Sequence, residues 1–188
     1  MKERKYKEDY GLEMRVDERG RERREAVYRG EWFAMEDEST KRGLVVCSGT
    51  AATLFAVLYL LYLEWNTPST RCIYVFPIAA CALAPLAYWI MGVWSMAHAP
   101  EKMTRVQKEK GVGRVLRSAV SCAALILMAC VGDVIYMLAG LKENAKAEWT
   151  GFALLMCCAA AALGCFVRVR DTYRRIRSLG TEHKEETK

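Results

Sequence analysis

Four long apolar stretches constrain this chain more than any other feature of its sequence. They cover residues 43–63, 73–97, 118–140 and 150–167, and Asp133 is the only charged residue in them. Each has 18 to 25 residues, and about 20 residues of α-helix cross the roughly 30 Å of bilayer hydrocarbon. The sequence therefore predicts an all-α polytopic membrane protein whose four stretches are its transmembrane spans.

The distribution of basic residues predicts how these spans are oriented. The N-terminal segment 1–42 carries twelve Lys and Arg, the connection between the second and third spans six, and the tail 168–188 seven. The other two connections share three, namely Arg71, Lys142 and Lys146. Because basic residues concentrate in cytoplasmic connections, both termini are expected in the cytoplasm, flanking a four-helix bundle over 43–167. Short outer connections and an N-terminus without a secretory signal favour a bacterial plasma membrane.

The N-terminal segment has the pattern of a small β-structure. Leu12, Met14 and Val16 alternate with charged residues, which is the period of a half-exposed strand. Two further short runs, 25–29 and 31–35, are separated by Gly30. The pattern predicts a β-hairpin or meander, and the alternative is a solvated tail, since the segment has as many acidic as basic residues.

Two other cytoplasmic segments carry helix signals. Thr104 and Gln107 have the spacing of a capping box, so a short basic helix is expected to begin there and to be broken at Gly111. After the fourth span the helix is expected to continue as far as Gly180. The basic residues of both segments are predicted to contact anionic lipid headgroups. They are Lys102, Arg105, Lys108, Lys110, Arg114, Arg117, Arg168, Arg170, Arg174, Arg175 and Arg177.

Three residues within the spans are candidates for a functional role. A carboxylate in a membrane costs about 2.5 to 3.5 kcal/mol at the centre, so Asp133 is a candidate for proton or cation coupling, with structural or partner-facing use as the alternative. Pro77 and Pro85 are candidate helix hinges in the second span, although packing alone also accommodates such residues.

Other kinds of site lack the residues that they need. Seven of the eight cysteines lie within spans and only Cys72 lies near the outer face, so no outward pair is available for a disulfide. His98 and His183 are isolated, and no metal site, cofactor site or catalytic constellation is predicted. Nucleic-acid binding is not expected, because no reading helix accompanies the basic tail.

These observations lead to two hypotheses about function. The first is a non-enzymatic scaffold or accessory subunit that docks partners at its cytoplasmic face, because most of the polar residues lie there. The alternative is a small transporter or channel subunit that uses Asp133. Beyond the lipid bilayer, the sequence leaves self-association and membership of a larger membrane complex open.

Overall fold

The chain forms a bundle of long helices with two small β-sheets. The computed structural model describes residues 8–16, 22–35, 37–65, 67–73, 75–139 and 145–180. The helices are α1 (Glu38–Glu64), α2 (Phe76–Cys81), α3 (Leu83–Ala97), α4 (Arg105–Lys110), α5 (Val112–Leu138) and α6 (Ala145–Arg175). Helix α1, the pair α2 and α3, helix α5 and helix α6 are each long and apolar enough to cross a membrane. The prediction of a helical, multi-pass membrane protein is confirmed at this level.

The four spans pack in a ring. Helix α5 packs against α6 and α3, and α1 packs against the same two helices. Phe55, Trp89, Ile126 and Leu155, one from each span, are fully buried at the centre, while many Leu, Val and Ile side chains on the outer faces are exposed. A bundle whose outer surface is apolar is the arrangement expected of helices surrounded by lipid.

The predicted N-terminal β-structure is present as a hairpin. Strand β1 (Tyr10–Val16) pairs antiparallel with β2 (Glu22–Tyr28), in a register that places Tyr10 opposite Tyr28. The next strand, β3 (Trp32–Ala34), does not extend this hairpin into a meander. It lies at the centre of a second sheet, between β4 (Lys102–Thr104) and β5 (Arg177–Gly180).

The second sheet joins three segments that are distant in sequence. Phe33 pairs with Met103 of β4 and with Ser178 of β5, and both pairings are antiparallel. The sheet lies where α1 begins, α3 ends and α6 ends, and we call this the sheet end of the bundle. The other end, where a 3₁₀ helix (Pro68–Arg71) follows α1, is the turn end.

The expected extension of the last helix to Gly180 is wrong. Helix α6 ends at Arg175, and Arg177–Gly180 forms β5 instead. Ile176, between them, is 8% exposed and belongs to the core. The local helical pattern is overridden here because the chain gains strand pairing with β3 and buries an isoleucine.

The short basic helix in the middle connection is confirmed. Thr104 accepts a hydrogen bond from the Gln107 backbone, and the Gln107 side chain accepts one from the Thr104 backbone, which completes the capping box of α4. Gly111 ends α4 and precedes α5.

Candidate functional site

Asp133 lies on α5 near the turn end of the bundle. It is five residues before the end of the helix at Leu138, or roughly 8 Å by helical rise. The residue is only 1% exposed and faces the other helices. Burial of this carboxylate has to be compensated by neighbouring polar groups or by a ligand.

The connection after α1 folds into the turn end and supplies some of those polar groups. Thr67 and Ser69 are each 1% exposed. Their side-chain oxygens lie 3.0 Å apart, and the Thr70 hydroxyl donates to the Thr67 carbonyl at 2.6 Å. The Ser69 side chain also lies close to the Asp133 carboxylate.

A second carboxylate, Glu148, lies beside this connection and is not among the residues predicted from the sequence. It is on the first turn of α6, is 3% exposed, and its Oε1 accepts a hydrogen bond from the Ser69 backbone N–H at 3.1 Å. Glu148 lies just outside the apolar stretch 150–167, so a charge-based boundary excluded it. The available signal was helical spacing, since Glu148 is seven residues before buried Leu155 and therefore on the same face of α6.

Tyr62 and Gly151 complete the surroundings of the two carboxylates. The Tyr62 side chain reaches from α1, is 1% exposed and interacts electrostatically with both Asp133 and Glu148. A Cβ atom on Gly151 would lie 3.2 Å from Thr67 Cγ2 and 3.7 Å from Tyr62 Cε2. The glycine on α6 therefore lets the polar groups approach closely. We call Tyr62, Ser69, Asp133 and Glu148 the carboxylate site.

Three buried oxygen atoms of the carboxylate site have no hydrogen-bond partner among the described residues. They are Oδ1 of Asp133, Oε2 of Glu148 and Oη of Tyr62. Oxygen atoms of this kind accept hydrogen bonds or coordinate hard cations. Chemically, the arrangement can hold a proton or a cation close to the turn end. Within the described ranges, no three His, Cys, Asp or Glu side chains are grouped in a way that could hold a metal ion.

The two predicted hinge prolines lie at the starts of helices. Pro77 is in the first turn of α2, and Pro85 is the third residue of α3. Helices α2 and α3 are separated at Ala82. Pro85 has no backbone N–H, so it cannot donate the helical hydrogen bond to the carbonyl of Cys81, four residues earlier. The missing hydrogen bond explains why the helix breaks here. At the same break the Tyr59 hydroxyl donates to the Ala79 carbonyl at 2.8 Å, which attaches α1 to α2.

All eleven predicted lipid-contact residues lie at or near the sheet end, but they do not form one group. Arg105, Lys108 and Lys110 are on α4, and Arg114 and Arg117 are in the first turns of α5. Lys102 is in β4 and Arg177 begins β5. The remaining four are on the last turns of α6. They are Arg168, Arg170, Arg174 and Arg175.

Lys108 differs from the other ten because its amino group lies close to two aromatic rings. Its Nζ lies 4.2 Å from the centre of the Phe33 ring and 4.6 Å from that of Tyr173. Lys108 thus contributes cation–π contacts that attach α4 to β3 and α6, a role that the sequence did not indicate.

Arg168 and Arg175 line a cavity of about 350 Å³ between the beginning of α1 and the end of α6. The two residues are seven apart, so both lie on the same face of α6. Ser39 and Thr40 on α1 and Asp171 on α6 add polar groups, and Leu44 and Ile176 add apolar ones. Backbone N–H groups in the first turn of a helix favour anions, and the Asp37 side chain makes no capping hydrogen bond at this end of α1.

The hairpin of β1 and β2 presents an exposed apolar face. Leu12 is 72% exposed and Met14 63%, and both share the Tyr10 side of β1 because side chains alternate along a strand. At the base of the hairpin, the Tyr28 ring makes edge contacts with Tyr10 and Trp32, at 5.2 and 5.1 Å between ring centres. Burial raises the pKa of Tyr28, and its hydroxyl accepts a hydrogen bond from the Arg105 backbone.

Comparison with protein-family models, with curated proteins and with solved structures found no match to this chain.

Proposed function

We propose that this protein is a non-enzymatic membrane scaffold or accessory subunit that docks a partner protein at its sheet end, which faces the cytoplasm. The observation that carries the proposal is the exposed apolar face of the hairpin. Leu12 and Met14 remain largely exposed, although they belong to a segment outside the apolar spans. Exposed apolar side chains grouped on one strand are typical of surfaces that a partner covers.

The attachment of the hairpin to the bundle supports this role. Arg29 donates its backbone N–H to the Asp9 carbonyl at 2.8 Å, next to the last pair of the hairpin. Tyr28 contacts Trp32 of β3 and the backbone of Arg105. A partner bound to the hairpin is therefore held close to the membrane surface and in a defined position relative to the bundle.

Orientation follows from the positive-inside rule. The segments around the sheet end carry 25 of the 28 basic residues, so we assign the sheet end to the cytoplasm and the turn end to the outside. Because its outer connections are short, we assign the protein to a bacterial plasma membrane.

Site-directed photo-crosslinking in native membranes tests the docking proposal. A photoreactive amino acid at position 12 is expected to give a reproducible crosslinked protein that mass spectrometry identifies. The matched control places the same group at Glu101, which is also exposed at the sheet end, and is expected to give little or none of it. The proposal fails if position 12 yields neither a partner nor a crosslinked copy of this chain beyond the level at position 101.

We further propose that the cavity between α1 and α6 holds the phosphate of an anionic lipid. Leu44 and Arg168 in its lining lie at the edges of the first and last apolar stretches, which supports a position at headgroup depth. Two guanidinium groups and the hydroxyls of Ser39 and Thr40 are donors suited to phosphate oxygens. The Asp171 carboxylate opposes binding, so a bound lipid is expected to contact the arginines on the side away from it.

A second candidate function is proton or cation coupling at Asp133. It is favoured by Glu148, because two buried carboxylates near one end of a bundle are typical of ion-handling sites. In vesicles reconstituted with the full chain, Asp133→Asn is expected to abolish the flux of protons or cations across the vesicle membrane. Flux that is unchanged in this variant removes the coupling function and leaves the docking function untouched.

A further inference from the structure

We infer that the carboxylate site binds one hard divalent cation, with Asp133 and Glu148 as anionic ligands and the Ser69 and Tyr62 hydroxyls as neutral ones. The inference rests on the second proposed function only for the location of the site. A cation held there permanently would stabilise the bundle without being transported.

The hydrogen bonds within the site leave buried oxygen atoms without a partner among the described residues. Ser69 lies beside both carboxylates, since its backbone N–H donates to Glu148 Oε1 at 3.1 Å and its side chain is close to Asp133. Each carboxylate thereby uses one polar contact and keeps a buried oxygen without a partner. The Tyr62 hydroxyl is a third such oxygen and comes from a third helix. Three unpaired oxygens from α1, α5 and α6 indicate a ligand that accepts electron pairs.

The charge of the site also favours a divalent ion. Two carboxylates buried beside each other repel, and each has one oxygen whose lost hydration no described hydrogen bond replaces. A cation or a proton can compensate for that loss. Lys146, the basic residue nearest to Glu148 in the sequence, is exposed, and residues two apart on a helix point to different sides. One divalent cation neutralises both carboxylates at once.

The donor atoms select the class of cation. Carboxylate and hydroxyl oxygens suit Ca²⁺ and Mg²⁺, whereas zinc and copper prefer nitrogen and sulfur ligands. Cys130 is one turn before Asp133 and is buried, yet it forms no group of three metal-binding side chains with the two carboxylates, which are both within the described part of the chain. Ca²⁺ is the better fit of the two, because it tolerates irregular geometry and Mg²⁺ requires a near-ideal octahedron.

The position of the site gives the ion a short path from water. Asp133 is five residues from the end of α5, and Glu148 is the fourth residue of α6. Both are thus within about two helical turns of the turn end. The ion reaches the site from that side without crossing the bilayer.

Equilibrium dialysis with radioactive Ca²⁺ tests the inference on the full chain, purified in detergent and stripped with EDTA. We expect one Ca²⁺ per chain, a rise in the thermal unfolding midpoint with Ca²⁺ concentration, and a weaker response to Mg²⁺. The double variant D133N/E148Q is expected to lose more than about tenfold in Ca²⁺ affinity. The control E38Q/E101Q removes two carboxylates that are exposed at the sheet end and is expected to bind as the wild type does.

Two further comparisons keep the outcomes distinct. Tyr62→Phe preserves the ring and removes only the hydroxyl, so it tests the site in a chain whose packing is unchanged; it is expected to weaken Ca²⁺ binding. Absence of saturable Ca²⁺ and Mg²⁺ binding in the wild type, or equal binding by D133N/E148Q, would overturn the inference. Loss of flux in Asp133→Asn without any divalent binding would then leave the coupling function standing alone. Divalent binding together with a flux that Asp133→Asn does not change would leave the cation site standing and remove the coupling function.

Discussion

At the scale of single residues, glycine determines how closely the helices approach. Gly92 on α3 is buried against the beginning of α5. A Cβ atom there would lie 2.8 Å from Val115 Cγ2 and 3.0 Å from the Val115 backbone nitrogen. The side chain of Val115 could rotate, but the backbone nitrogen can move only if the helix moves. Gly43 on α1 has no neighbouring atom within 4 Å of the same position.

The two glycines give a matched pair of substitutions. Gly92→Ala is expected to lower the free energy of unfolding by about 1 to 3 kcal/mol, because overpacking pushes α3 and α5 apart. Gly43→Ala is expected to be neutral or to stabilise by up to about 1 kcal/mol through helix propensity. Denaturant titration in mixed micelles measures both. Equal effects of the two substitutions would show that the close approach at Gly92 does not limit packing.

Individual residues also show where inference from the sequence stops. Asp133 was recognisable because it interrupts an apolar stretch, whereas Glu148 is charged in a connection where charge is ordinary. Helical spacing places Glu148 on the same face of α6 as Leu155, but the burial of that face depends on how α6 is rotated against α1 and α5. The burial of Tyr62 likewise depends on how the helices pack, because nothing in the sequence distinguishes it from other tyrosines near the end of a span.

At the scale of elements, the spans were predictable and the second sheet was not. The spans are set by local composition, and the capping box of α4 by two residues three apart. Strands β4 and β5 have three and four residues, which is too short for a pattern of alternation. Their partner β3 is more than 60 residues away in the sequence in each case, so no local signal reports the pairing. The helical spacing of Val169, Tyr173 and Ile176 favoured a longer helix, because a local pattern does not show that the next residues pair with β3.

The second sheet is expected to depend on contacts made by Phe33. This side chain packs against the core and under Lys108, opposite Met103, which is 2% exposed. Phe33→Ala is expected to lower the free energy of local unfolding of the second sheet by about 3 kcal/mol and to release the segment before α1. Hydrogen exchange of residues 32–34 and 102–104 measures this, and we expect loss of protection at both.

Glu101→Ala serves as the control for that measurement. Glu101 is exposed and directly precedes β4, so its removal is expected to leave protection as it is in the wild type. Protection at 102–104 that survives Phe33→Ala would mean that β4 is held by α4 and α3 and not by β3.

At the scale of the whole molecule, the cavity between α1 and α6 predicts a specific dependence on lipid. Each basic residue near an anionic surface contributes about 1 kcal/mol, so R168Q/R175Q is expected to weaken phosphatidylglycerol binding by about 30-fold. Native mass spectrometry of the detergent-solubilised protein, titrated with this lipid, measures the affinity. Inorganic phosphate in a parallel titration distinguishes a lipid site from a general phosphate site.

A second pair on the same helix provides the control. R170Q/R174Q removes the same charge from residues that do not line the cavity, and its effect is expected to be several-fold smaller. If both pairs weaken binding equally, lipid is attracted by the charge of the sheet end as a whole and not by the cavity.

The position of β3, β4 and β5 also bears on how the protein is assembled in a membrane. Strand β3 precedes the first span, β4 follows the second and β5 follows the fourth, so two crossings separate each strand from the next. The three strands lie on the same side of the membrane only if the chain crosses it twice between one strand and the next. A span that is left out, or inserted in the opposite direction, leaves one strand on the other side of the membrane. The last strand is also the last to be synthesised. Formation of this small sheet is therefore a late event in biogenesis. It distinguishes a chain whose spans are inserted with the correct topology from one whose spans are not.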